Sequence, residues 1–253
     1  MEEAEFIEVY KEYWNVLKKN QRSLDLIEYD WINMPSSIPI KWMTYSQYLN
    51  EHARELANSI NQLAASTRKL SIWQKLLEKH NEDENIYIVS EFIEPLATLC
   101  LNFPYAIRGR FIFSVSHLSH QANMKKVSNW KDNLATDKSI NFKVMEKVSK
   151  EWSTYSEFRS SLSFLSDSEF SDQVYNFRNK YHHRYPPRVE FGQTQMVTRN
   201  IEDGKVSYGF GYIEPLQISK MVPLLEAQHM AAYNAFRKYQ ALVNEQISVI
   251  FNT

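Results

Sequence analysis

Apolar residues recur at three- and four-residue spacing through most of the chain, the period of a helix face. Over residues 4–20, Phe6, Val9, Tyr13 and Leu17 fall on one side of a first short helix. Met34-Pro35-Ser36-Ser37-Ile38-Pro39 separates it from the next periodic run. In that run the same spacing joins Leu49, Ala53, Leu56, Ile60, Leu63, Thr67, Leu70 and Leu77, with Gln74 filling one apolar slot. Thr44-x-x-Gln47 at its head has the form of a capping box, so the pattern predicts a long helix with a narrow apolar seam ending near His80. Asn81 to Asn85 reads as a polar turn. A helix over 86–101 is expected to stop at Pro104, which has no N–H to donate. Residues 105–125 read as helix, although Phe111-Ile112-Phe113-Ser114-Val115 also suits a strand. Ser128 to Ser139 reads as an exposed connection, with helices after it at about 140–152 and 157–165. Ser166-Asp167-Ser168 offers capping residues for a helix over about 168–184, and Pro186-Pro187 stops it.

The pattern changes after that helix. Val189 to Thr198 and Lys205 to Ile213 are rich in β-branched and aromatic residues, and Asp203-Gly204 between them is a strong turn signal. These segments predict a β-hairpin at about 189–213. A last helix runs from about Ser219 to Ile250, with Pro223 placed in its first turn. The fold class is an all-α helical bundle with one inserted β-hairpin. No repeat or long linker divides the 253 residues, which read as one helical domain over 1–253.

Composition agrees with helix. Five glycines are few for this length, and hairpins and bulges would demand more. Apolar residues make up 43% and aromatics 14%, enough for a packed core and against disorder. A net charge of -1 argues against a broad duplex-binding surface and leaves room for a local basic site. The single cysteine, Cys100, forms no internal disulfide and sits in an apolar run, as an inert thiol in a reducing compartment would. The acidic N-terminus lacks the layout of a secretory signal, and the apolar runs fall short of the roughly 20 residues that span a bilayer. The expectation is a cytoplasmic protein with no membrane segment.

The chemistry-bearing stretch is Arg178-Asn179-Lys180-Tyr181-His182-His183. Phe170, Val174, Phe177 and Tyr181 are spaced as the core stripe of the 168–184 helix. At about 100° per residue, Asn179 and His183 lie roughly opposite that stripe, and Arg178 and His182 pair on the flank. The motif therefore points away from its own helix's core. A helix C-terminus favours protonated histidine, while Arg178, Lys180, Arg184 and Arg188 oppose it. The result is a compact cationic cluster suited to a phosphate, with arginine as a permanent donor and histidine as proton carrier.

In these residues the chain resembles the HEPN superfamily. Arg178, Asn179 and His183 match its Arg-polar-x3-His signature, and Arg178-x4-His183-x-Tyr185 is similar to the form found in HEPN toxins paired with a small nucleotidyltransferase antitoxin. The resemblance covers one helix securely and about 140–185 loosely. It implies metal-independent endoribonuclease or toxin activity, with no cofactor, at a site composed across a homodimer. It further implies that His183 handles the proton of the 2′-OH or of the leaving oxygen. Arg178 would stabilise the phosphorane charge, Asn179 would orient its neighbours, and Tyr185 would be the residue an antitoxin modifies. His182, Lys180, Arg184 and Arg188 would bind phosphate. The alternative is a non-catalytic helical module that binds a nucleotide, RNA or a protein partner through the same patch. In the plainest reading the basic residues complement a helix C-terminus.

Other signals are weaker. Glu226-x-x-His229 is half of a di-iron spacing and has no second copy. His117-x-x-His120 places two imidazoles on one helix face without a carboxylate or cysteine at helical spacing. Arg108-Gly109-Arg110 adds charge near a helix start. Glycine-rich phosphate loops, the Gly-x-Ser-x-Gly elbow and Cys-x-x-Cys pairs are absent, which argues against nucleotide hydrolases, Rossmann oxidoreductases and zinc ribbons.

Overall fold

The computed structural model describes residues 2–21 and 23–251. Its main elements in chain order are α1 (Glu3–Lys19), α2 (Met43–Leu77), α3 (Glu82–Ile88), α4 (Glu94–Lys126), α5 (Phe142–Ser149), α6 (Tyr155–Leu162), α7 (Ser168–Gln173), α8 (Phe177–His183), β1 (Val197–Glu202), β2 (Lys205–Phe210) and α9 (Ile218–Phe251). This is a helical bundle with one inserted two-stranded antiparallel hairpin.

The chain divides into two compact units, and α2, α4 and α9 each contribute to both. The first comprises Met1–Leu24, Ala65–Asn102 and Asp167–Ala227. Its core holds a flat aromatic stack, in which Tyr13 lies on Trp73 at 4.3 Å and Trp73 on Phe92 at 4.8 Å. The Arg68 guanidinium donates to the carbonyl oxygens of Leu17 and Asn20, satisfying the end of α1 where intrahelical partners run out. The second unit comprises Asp25–Ala64, Phe103–Ser166 and Gln228–Thr253. Three of its buried polar side chains are linked in a chain, with the Tyr45 hydroxyl donating to Gln246 at 3.0 Å and Gln246 donating to Ser119 at 3.0 Å. The Glu245 carboxylate accepts from the amides of Ser153 and Thr154 and from the Thr154 hydroxyl, so it caps the start of α6.

The long apolar seam of α2 is as the spacing requires, with Leu49, Ala53, Leu56, Ile60, Leu63, Thr67 and Leu70 buried. At Gln74 the buried stripe steps sideways to Ile72, Trp73 and Leu76. The expected polar turn at 81–85 is instead a helix start. The Asn81 side chain accepts from the Glu84 amide while Glu84 accepts from the Asn81 amide, a capping box in a charged sequence. Pro104 does not end its helix. It sits inside α4, flanked by buried Cys100, Leu101, Phe103 and Ile107, so packing outweighs the one missing backbone bond. Residues 111–115 are helical, which removes the strand alternative.

Because the helix passes Pro104, apolar lengths that the sequence separates are joined. The stretch Glu82–Lys126 is long and apolar enough to cross a bilayer by length and composition, with a mean hydropathy of 1.3 in its best window, 39% of which is buried within the protein. Pro223 lies inside α9, in its second turn.

In the hairpin, Asp203 and Gly204 both have positive φ (50° and 75°), as a two-residue turn of right-twisted strands requires. Pairing runs from Glu202–Lys205 out to Val197–Phe210, and single bridges at Thr194–Ile213 and Val189–Leu216 carry the chain back to the α9 start. There the half-buried Glu190 carboxylate accepts from the Ile218 amide.

Candidate functional site

The helix expected over 168–184 is two helices. Asp167 caps α7 by accepting from the Phe170 amide at 2.8 Å. After Gln173 the backbone turns through Tyr175 and Asn176, both left-handed (φ 54° and 53°), and α8 starts afresh at Phe177. Two successive non-glycine residues in this region are costly, on the order of 1 kcal/mol or more each. The turn is closed by the Asn176 amide donating to the Ser171 carbonyl at 2.7 Å. The break lets Phe170, Val174 and Phe177 all reach the core, although α7 and α8 share no continuous face. Tyr181, expected as the fourth member of that stripe, is about half exposed and stacks on Phe177 at 5.8 Å.

All six motif residues still lie within α8, so their helical spacing is intact. Arg178, Asn179, His182, His183 and Arg184 are exposed. The His182 ring meets the edge of Tyr181 at 5.4 Å and lies 6.3 Å from His183. Among the described residues neither imidazole has a hydrogen-bond or ion-pair partner. Lys180 is partly covered; burial, then the Arg184 charge, hold its amine below the usual lysine range. Around the axis Arg178 and His183 are about 140° apart, so one copy of α8 does not bring them together. Tyr185 is 81% exposed at the helix end.

Beside α8 lies a shallow groove of about 400 Å³, with Tyr181 and Pro187 on one wall and Glu94 and Thr98 on the other. Arg188 spans its rim to Glu94 at 3.0 Å, so its charge is already engaged.

A second cluster, in the other unit, was only half legible. His117 and His120 are buried on α4, and the exposed connection after that helix brings carboxylates to both. His120 Nε2 lies 3.0 Å from Asp132 Oδ1, and His117 Nε2 lies 3.4 Å from Asp137 Oδ1. His52 of α2 is 6.0 Å from the His117 ring and stacks on Tyr48. Burial, then the neighbouring His117, push the His52 imidazole down to about 4. Burial also lowers His117 despite Asp137. Helical spacing could not announce these aspartates because they arrive from a loop. No set of three or more His, Cys, Asp or Glu side chains among the described residues is arranged to hold a metal ion. Of the remaining sequence signals, His229 is fully buried, and Cys100 is buried with its thiol pushed up to about 12. Arg108-Gly109-Arg110 lies inside α4 and not at a helix start, with Arg108 donating to the Ser166 carbonyl at 3.1 Å and Arg110 to the Ser59 hydroxyl.

No family model, curated protein or solved structure matches the chain.

Proposed function

We propose that the chain is a HEPN-like, metal-independent endoribonuclease that works in the cytoplasm as a toxin, with its site composed from the α8 helices of two copies. The observation that carries this reading is the exposure of Arg178, Asn179 and His183 on a helix whose geometry keeps Arg178 and His183 apart within one chain. A second copy would supply the set of groups that one α8 does not bring together. The chemistry asks little of the protein beyond these groups. The RNA 2′-OH attacks the adjacent phosphorus and loses its proton to a base. The P–O5′ bond breaks and its oxygen takes a proton, leaving a 2′,3′-cyclic phosphate and a 5′-OH. His183 carries one of those protons, and Arg178 offsets the charge on the phosphorane oxygens. Asn179 orients its neighbours, and His182, Lys180 and Arg184 hold flanking phosphates. Tyr185, free of the helix and exposed, is available to an antitoxin that modifies it.

A second reading is supported by the same openness: a binding module that holds RNA or a nucleotide on this cationic face without cleaving it. The two separate in an assay of the purified protein on RNA and DNA, with and without EDTA. The nuclease reading expects RNA cleavage indifferent to EDTA, intact DNA, and losses on the order of 10²-fold or more for His183→Ala and Arg178→Ala. His182→Ala should lose less. Binding without cleavage supports the module, and equal cleavage by wild type and His183→Ala contradicts the site.

A further inference from the structure

The hairpin is amphipathic, and neither of its faces is buried against its own chain. Alternation places Val197, Arg199 and Ile201 of β1 on one face, together with their register partners Phe210, Tyr208 and Val206 of β2. The other face carries Thr198, Asn200 and Glu202 opposite Gly209, Ser207 and Lys205. The apolar face is open to solvent along its whole length, with exposures from 50% at Val206 to 87% at Phe210. The polar face is open as well, except at Thr198 and Gly209, which are partly covered. A two-stranded ribbon is marginal in water unless its apolar face is covered. The exposed side chain of Tyr212, two residues beyond Phe210, extends the patch past the paired strands.

We propose that this face packs against the same face of a second copy. The pattern is self-complementary about a two-fold axis that lies in the plane of the interface and runs along the strands, midway between β1 and β2. Turned onto itself, the ribbon sets β1 of each copy over β2 of the other, so that the slim Val197 meets the partner's bulky Phe210 and Ile201 meets the partner's Val206. The same operation sets each Arg199 over the other copy's Tyr208 ring, where a guanidinium is well placed. Arg199 makes no ion pair or ring contact within its own chain among the described residues, so the face holds an uncommitted cation and no carboxylate. The exposed side chains of the patch amount to roughly 600–800 Å² per copy, close to the ~800 Å² that each partner contributes to a standard interface. A nucleic acid fits less well. Aliphatic side chains interrupt the aromatic ones, and Arg199 and Lys205 are cancelled by Glu202 and Asp203, leaving no net field for phosphates. The interface stands irrespective of the chemistry at α8.

The test is the mass of the full chain in solution by sedimentation across a concentration series. The wild type should sediment as a dimer. Phe210→Glu should weaken the dimer on the order of 100-fold or more, while Asn200→Glu on the polar face should leave it intact. Helical content by circular dichroism identifies a variant that fails to fold, and Tyr208→Ser then serves in its place. A mixture of Arg199→Cys and Tyr208→Cys chains joined by a short bis-maleimide should give the mixed dimer, with the buried Cys100 unreactive. A monomeric wild type overturns the proposal, whether or not it binds an RNA oligonucleotide. A dimer indifferent to both Phe210→Glu and Tyr208→Ser overturns it equally.

Discussion

Arg68 shows how much of this protein rests on single side chains reaching past their own element. Its guanidinium closes the end of α1 by donating to Leu17 and Asn20. Arg68→Met keeps the apolar stem and removes the donors, leaving partly buried carbonyls unpaired. The expected cost is about 1–3 kcal/mol, read as a lower denaturation midpoint at unchanged slope. At the same scale the sequence was informative where chemistry is local and silent where it is not. Asp167 as a cap and Asp203-Gly204 as a turn depend on neighbours a few residues away, and both form as expected. Asp132 and Asp137 reach His120 and His117 through a loop, and no spacing rule carries that information.

Among the elements, the long amphipathic helices and the hairpin were legible because burial imposes a period. The break between α7 and α8 was not, since it falls at Tyr175-Asn176, where no glycine or proline marks it. Asn176 tolerates the left-handed region better than most residues, and it is the one local hint. Asn176→Val, branched at Cβ, should destabilise the protein by about 1–3 kcal/mol, and Asn176→Gly should be neutral or stabilising. Thermal melts of the two variants check this, and equal losses in both would mean that the side chain, not the backbone angle, matters there. Pro104 erred in the other direction. A residue that ends exposed helices is carried through α4, because buried neighbours on both sides fix the helix around it.

For the whole molecule, buried histidines couple stability to pH. His52, His117 and His229 are all held below the ordinary histidine value by burial. A histidine depressed in the folded state contributes its full stability above the unfolded value of about 6.5. As pH falls from there the unfolded chain takes up a proton that the folded chain refuses, and stability drops; for His52 the loss is complete near pH 4. Chemical denaturation at several pH values should therefore show stability declining between 6.5 and 4, and His52→Gln should flatten that slope. A slope unchanged by the substitution would remove His52 from the account. The fold class was readable from sequence because helical periodicity pervades the chain. The candidate site was readable as far as the spacing of its residues along α8, because helical spacing is local, while the α7–α8 break that sets this helix apart was not.

The central claim is that α8 cuts RNA with its own side chains. Its most direct test is end-group analysis of a defined single-stranded RNA incubated with purified protein in EDTA, wild type beside His183→Ala. The account predicts fragments ending in 2′,3′-cyclic phosphate and beginning with 5′-OH from the wild type, reduced on the order of 10²-fold or more in the variant. Intact RNA, or the same fragments at the same rate from His183→Ala, would contradict it.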